Sequence, residues 1–470
     1  MQVLRVISGD HERTAIDFQK HYRLPMVHLM DTDLSLQQVY NRDGWPFLMV
    51  VDSNGVIAHK ANNLVDNEAR ILELLRTLKA SPEAAPIRTV DGTNYSAETL
   101  RRSGELDAPR VQDRFTSIAA ATDGRVFLVW TSNRNGNSDV YLRTWDGNAW
   151  SANEPLAASQ ADEYDATVVV SPQNQAWFCW TSNAGTEKYN IFVTSLDRLK
   201  TGEPPIQVTQ SDDDAMHGRL ACAPDGALWI AYFKWQKNNA GISRDKEVFL
   251  RRLENGRLSD EIQVSPTDVP SYEDHTDPAV AVVGDKTLVC WSWDYHQPKG
   301  YPSDAESPTI FASAIGKDLR PSRPFNLSGR NIDMVPEVTP QGGSAWCVWD
   351  SLVASGKTSK TLFVRRLDST GCKGEPVAVA SGLEHICSPC VAVGPGDRAV
   401  LVWCQKQRDS GWELRKSDCA ELGRWSEAKP LVTEGNPRYS SAAFDAKGVL
   451  WISYTADTEQ GRRIQTLRLE

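Results

Sequence analysis

Short apolar strands ending in an aromatic residue recur along most of the chain: VFLVW to Trp130, AWFCW to Trp180, LWIAY to Tyr232, TLVCW to Trp291, AWCVW to Trp349, AVLVW to Trp403 and LWISY to Tyr454. Successive endings lie 50 to 59 residues apart. A repeat of that length holds several short strands but is too short to bury a core alone, and it predicts a β-propeller with one blade per repeat. A third-strand column recurs as DVYLRTW, NIFVTSL, EVFLRRL, TIFASAI and TLFVRRL, and an outer-strand column as EPLAAS, PPIQVTQ, EIQVSP and RPFNLSG. The expected fold is therefore mainly β, a seven-bladed propeller over residues 87–470. The last repeat stops at Glu470 without an outer strand, while IRTVDGTNYSAETL (87–100) aligns with LRTWDGNAWSANEPL (142–156). Residues 87–104 are expected to supply that strand and close the ring, which removes an exposed edge.

Residues 1–85 read differently. VLRVIS and PMVHLMD have strand patterns with the amphipathic helix signal ERTAIDFQKHY between them; LSLQQVYNR reads as a helix, FLMVVD and VIAHKA as a hairpin, and NEARILELLRTLKA as a closing helix. This order, with Gly44-Trp45-Pro46 just before FLMVVD, resembles the thioredoxin-like fold of the redoxin and TlpA type. The resemblance implies a small α/β domain in which Pro46 is the cis-proline facing the active site. The family's first strand and its Cys-x-x-Cys have no counterpart, since the first cysteine is Cys179. Exchange chemistry needs a thiolate, so the segment as given is redox-inactive. Two expectations follow: a degenerate structural domain, or, the preferred one, a chain whose start lies upstream. The linker ASPEAAP (80–86) is short and holds two prolines, which suggests a restrained junction.

The first repeat, TDGRVFLVWTSNRNGNSDVYLRTWDG, resembles the repeats of TolB-like propellers, and the second and third keep that order in part. The Asp-Gly and Trp-Ser tails also resemble sialidase-type Asp-box propellers, although their spacing differs. Both resemblances imply fold more than activity.

The formal net charge is −10 with no Lys/Arg stripe, which excludes a nucleic-acid partner. No run of eighteen apolar residues occurs, so no membrane span is expected, and the N-terminus lacks a secretory pattern. The chain as given reads soluble, with export expected only if an upstream start carries a signal. Nine cysteines, all beyond residue 178 and several inside apolar strands, point to reduced packing residues. Cys387-Ser388-Pro389-Cys390 has a redox-like spacing but leads into a strand, not a helix N-terminus that would activate a thiol.

Function is expected in the irregular loops. In a propeller the outer-to-inner and second-to-third strand loops share one face, and here those loops are acidic, longest in repeats three and four, and hold all four histidines of the repeats. The candidate ligand-binding residues are Asp213, Asp214, His217, Trp235, Asp274, His275, Asp277, Trp293, Tyr295 and His296. Carboxylates and imidazoles there can hold a divalent cation, although their spacing matches no known cation loop and no cofactor is required. Aromatic residues can stack on sugar or peptide. The leading expectation is a non-catalytic propeller that binds a protein, peptide or glycan. The alternatives are a sialidase-like glycan hydrolase, which lacks the Arg-Ile-Pro segment and arginine cluster that the resemblance calls for, and a thiol-disulfide oxidoreductase whose catalytic N-terminus is missing.

Overall fold

The computed structural model describes residues 111–470, apart from 187, 211–212, 238–243, 268–273, 295–307, 330–331, 353–358, 408–410, 422 and 459–460, together with six strands within residues 1–110. The chain divides into two units, Met1–Arg110 and Val111–Glu470.

In the first unit, β1 (Gln2–Ser8), β2 (Met26–Asp31), β3 (Leu48–Val51) and β4 (Ile57–Ala61) form one sheet in the order β2-β1-β3-β4. β1 is parallel to β2 and antiparallel to β3, and β3 is antiparallel to β4. A parallel neighbour needs a long crossover and a hairpin needs a short one, which matches the spacing of the strand signals. β5 (Ile87–Arg88) and β6 (Asn94–Tyr95) pair with each other. Pro46 lies outside the described residues.

The second unit is a mainly β propeller. Five antiparallel sheets of four or five strands stand separately as blades. A sixth sheet has seven strands: β10 (Glu154–Ala157), β9 (Asp139–Trp145), β8 (Val126–Ser132) and β7 (Val111–Ala120), followed by Gly461–Leu469, Leu450–Thr458 and Arg438–Phe444. Its two halves join through a short parallel pairing, Gly461 with Val111 and Arg462 with Gln112. The sequence predicts seven separate blades; the structure separates five and merges the chain-terminal repeats into this larger sheet. The first strands of the repeats contact one another in a closed cycle, so they lie innermost.

The aromatic endings pack between blades. Trp130, Trp291, Trp349 and Trp403 are completely buried, each contributing about 1.5–3 kcal/mol if fully transferred from water. Five endings face an aromatic residue across the hairpin: Trp130 and Tyr141, Trp180 and Phe192, Tyr232 and Phe249, Trp291 and Phe311, Trp349 and Phe363. Such cross-strand pairs fix register as well as burying area. Arginines on the third strand tie blades together: Arg251 donates through Nε to Ser259 O of its own repeat and through Nη1 to Val208 O of the preceding one, and Arg365 does the same to Gly374 O and Leu327 O. Among the described residues no helix is long and apolar enough to cross a membrane.

Candidate functional site at the channel mouth

Each first strand breaks register once, and at each break one non-glycine residue takes a positive φ: Phe115 (50°), Asp165 (55°), His217 (56°), Asp277 (51°), Val335 (52°), Ser388 (47°) and Tyr439 (54°). Side chains other than glycine rarely adopt this conformation, least of all a β-branched valine. A β-bulge inserts one residue and re-aims its side chain. Here the bulge residues of neighbouring repeats meet around the axis. Phe115 packs edge-on against Tyr439 with ring centroids 4.8 Å apart, and His217 Nδ1 lies 3.2 Å from Asp277 Oδ1.

The charged part of this ring centres on Arg219. Its Nη1 sits 3.1 Å from Asp165 Oδ2 and donates to Gly218 O at 3.0 Å. Burial opposes the charge on Arg219 most strongly, but Asp165, Glu337 and Asp277 outweigh it and hold the guanidinium pKa above its ordinary value. Asp277 also accepts from Thr276 Oγ1 (3.1 Å). Four consecutive first strands therefore contribute to one group: Asp165, His217 with Arg219, Asp277 and Glu337. Gly218 is required between the two bulge side chains, because a Cβ there would stand 2.4 Å from Cys179 Sγ. Asp277 is partly accessible at 21% side-chain exposure, whereas His217, at 3%, is walled in edge-on by Phe233.

The sequence-predicted residues fall into three groups. His217 and Asp277 meet at the mouth. Trp235 and Asp274 are joined by Lys246, whose Nζ lies 4.7 Å over the indole and 3.1 Å from Asp274 Oδ2, with Asp274 38% exposed. His275 and Trp293, expected on surface loops, lie in strands and are completely buried, ring centroids 4.9 Å apart, so packing and not solvent contact is their environment. His275 Nδ1 accepts from Trp291 Nε1 (2.9 Å), and burial pushes its pKa down to about 3, so the ring is neutral at ordinary pH. Asp214 is buried as well and accepts from Tyr189 N (2.9 Å), which makes it a loop anchor. Asp213 is half-buried just ahead of the strand Ala215–Cys222. Tyr295 and His296 lie outside the described residues.

Asp165, Arg219 and Glu337 were not among the predicted residues. The signal that finds them is positional: every bulge residue, Asp165 among them, lies 14 or 15 residues before the aromatic ending of its repeat, and Arg219 and Glu337 stand two residues after their own bulge residues, His217 and Val335. The same column accounts for Cys387-Ser388-Pro389-Cys390. Ser388 is the bulge residue of its repeat, neither cysteine forms a disulfide, and burial pushes the Cys390 thiol up to about 12. A thiol so disfavoured as thiolate is a poor nucleophile. Among the described residues no three His, Cys, Asp or Glu side chains are placed together as metal ligands.

No protein-family model matches the chain, and no curated protein matches it by sequence. Solved structures do match its fold. An ulvan lyase of polysaccharide lyase family PL25, bound to -[GlcA(1-4)Rha3S]-, is 8% identical with a TM-score of 0.52, over 74% of this chain and 90% of that one. The GH93 α-L-arabinofuranosidase of Fusarium graminearum (11% identity, 77% and 95% covered, TM-score 0.45) and a Hadza microbial sialidase (10%, 74% and 74%, 0.43) are more distant in geometry. At such identities the likeness is one of fold.

Proposed function

We propose that this chain is a non-catalytic, ligand-binding propeller, and that its protein, peptide or glycan ligand engages the channel mouth. The observation that carries this reading is the row of bulges that directs Asp165, His217 and Asp277, from three consecutive repeats, to the surroundings of one arginine. Strained backbone persists where the surrounding structure over-determines it, often at ligand sites. Each of the two bulge carboxylates faces a cation or an imidazole, an arrangement that suits recognition more than the pair of separately tuned carboxyls of glycoside hydrolysis. The half-buried group Trp235, Lys246 and Asp274 is read as part of the same binding surface.

The finer architecture belongs to the same proposal. The seven-stranded sheet is read as two blades joined at ring closure, giving seven, and a bulge in every one of the seven first strands supports the count. Residues 87–104 are read as the outer strand of the last blade; their support is the alignment of residues 87–100 with residues 142–156. Residues 1–85 are read as a thioredoxin-like domain on the strand order β2-β1-β3-β4 and as redox-inactive on the lack of any cysteine before Cys179.

Glycan and peptide arrays probed with wild type, Asp277→Asn and the opposite-face control Asp123→Asn test the function. The expected result is a ligand retained by the control and lost by Asp277→Asn. Silent arrays, or binding indifferent to Asp277, would sink the reading, and Asp277-dependent turnover of fluorogenic glycosides would replace it with the hydrolase.

A further inference from the structure

Away from the channel, one small polar group recurs between neighbouring repeats. Two residues before the third-strand aromatic stand Asp139, Asn190, Glu247 and Thr309; the outer strands add Ser159, Thr209, Ser265 and Ser328; two residues before the next bulge stand Glu163, Ala215, His275 and Asp333. In the second repeat Thr209 Oγ1 donates to Asn190 Oδ1 (3.0 Å), and in the third Ser265 Oγ donates to Glu247 Oε2. Those groups carry no more than one carboxylate each. The first carries two, and its hydroxyl is spent on one of them: Ser159 Oγ donates to Glu163 Oε1 at 2.6 Å and Ser159 N to Oε2 at 3.2 Å, with Ser182 Oγ 3.3 Å from Oε1.

Asp139 is left short. It is 0% exposed and Glu163 2%. Asp139 Oδ2 accepts from Asn135 Nδ2 (2.7 Å), but Oδ1 forms no hydrogen bond of its own, the one N–H that also favours the Asp139 charge being Ser159 N, which is given to Glu163. The nearby cation, Arg134, is committed to Asp113 (3.0 Å) and Ser132 (3.0 Å). Burial raises the pKa of both carboxyls, and the charge of Asp139 adds to the rise at Glu163. A shared proton does not resolve the excess, because both Glu163 oxygens already accept and no hydrogen bond joins the two carboxyls. A buried, unpartnered carboxylate oxygen facing a second carboxylate costs free energy that a cation removes.

We propose that a divalent cation, calcium by its ligand chemistry, binds between Asp139 and Glu163. The carbonyl oxygens of Ser159 and Ala161, which converge on Asn137 Nδ2 in the loop between the two carboxylates, would supply further ligands, and water would complete the shell. Two carboxylates with carbonyls and water suit the adaptable oxygen shell of calcium better than the strict octahedron of magnesium, with a Kd of about 10⁻⁴–10⁻³ M, as in weak extracellular modules.

The test uses the full chain. Thermal melts with EGTA, millimolar calcium or millimolar magnesium are compared for wild type, Asp139→Asn, Glu163→Gln and Glu247→Gln, the last being the matching position of the third repeat. Terbium luminescence is read alongside, because Asn135 Nδ2 also contacts Tyr141 Oη (2.7 Å) and Trp130 stacks on that ring, which places two sensitisers beside the site. The expected result is a rise of several degrees with calcium in wild type and Glu247→Gln, its loss in both other variants, and terbium emission lost with it. Asp139→Asn should melt at or above wild type in EGTA, since it removes the uncompensated charge. Absence of a calcium shift in wild type, a shift that survives Asp139→Asn, or an Asp139→Asn protein less stable than wild type in EGTA would each overturn the proposal.

Discussion

Asp333 offers the sharpest test of the energetics. It occupies the same column as His275, is completely buried, and accepts from Trp349 Nε1 at 3.2 Å through Oδ1, with the Ser351 and Ser328 hydroxyls beside it also favouring the charged form. Burial is the largest influence and lifts its pKa from 3.8 to about 6. A carboxyl whose folded pKa is raised stabilises the fold fully below its unfolded pKa, and that contribution is lost as pH rises through the folded value. The gap corresponds to about 3 kcal/mol forfeited at neutral pH and above. Asp333→Asn keeps the shape and the acceptor for Trp349 and removes the charge. The variant is expected to be more stable than wild type by about 1–3 kcal/mol near pH 7.5, with the advantage fading toward about pH 4. Urea unfolding followed by tryptophan fluorescence at both pH values measures it. A variant less stable near neutrality, or a gain of equal size at both pH values, would refute the argument that an ionised buried carboxylate is the cost.

Two further outcomes follow from the same physics. His275 behaves oppositely to Asp333: its folded pKa of about 3 lies below the ordinary 6.5, so its neutral form is required and stability is lost as pH falls below 6.5. His275→Gln, whose Oε1 can still accept from Trp291, should flatten the acid limb and recover about 2–3 kcal/mol near pH 4.5, read in the same urea titrations. Arg219→Met strands the buried Asp165 and should cost about 3–5 kcal/mol, with most of it restored by a second change, Asp165→Asn; thermal melts that find no restoration would assign Arg219 to packing alone.

The propeller was legible because its signal is packing. An aromatic ending must fill the space between blades in each repeat, and a facing aromatic on the third strand sharpens the column. The mouth was harder to read for two physical reasons. Strands here run beyond their apolar segments, so Asp274 and His275 belong to Asp274–Val283 and Trp293 to Lys286–Asp294, although their polarity reads as loop. The positive-φ position of each bulge is not a glycine, and a residue forced into a left-handed conformation by its neighbours leaves no compositional trace. Asp165, Arg219 and Glu337 emerge only when the repeats are stacked on their aromatic endings.

Six kinds of side chain, Phe, Asp (twice), His, Val, Ser and Tyr, occupy the seven bulge positions at nearly the same φ. The bend is thus imposed by the sheet and is indifferent to what it displays. Mutational drift at these positions can change what the mouth presents while the scaffold keeps its shape.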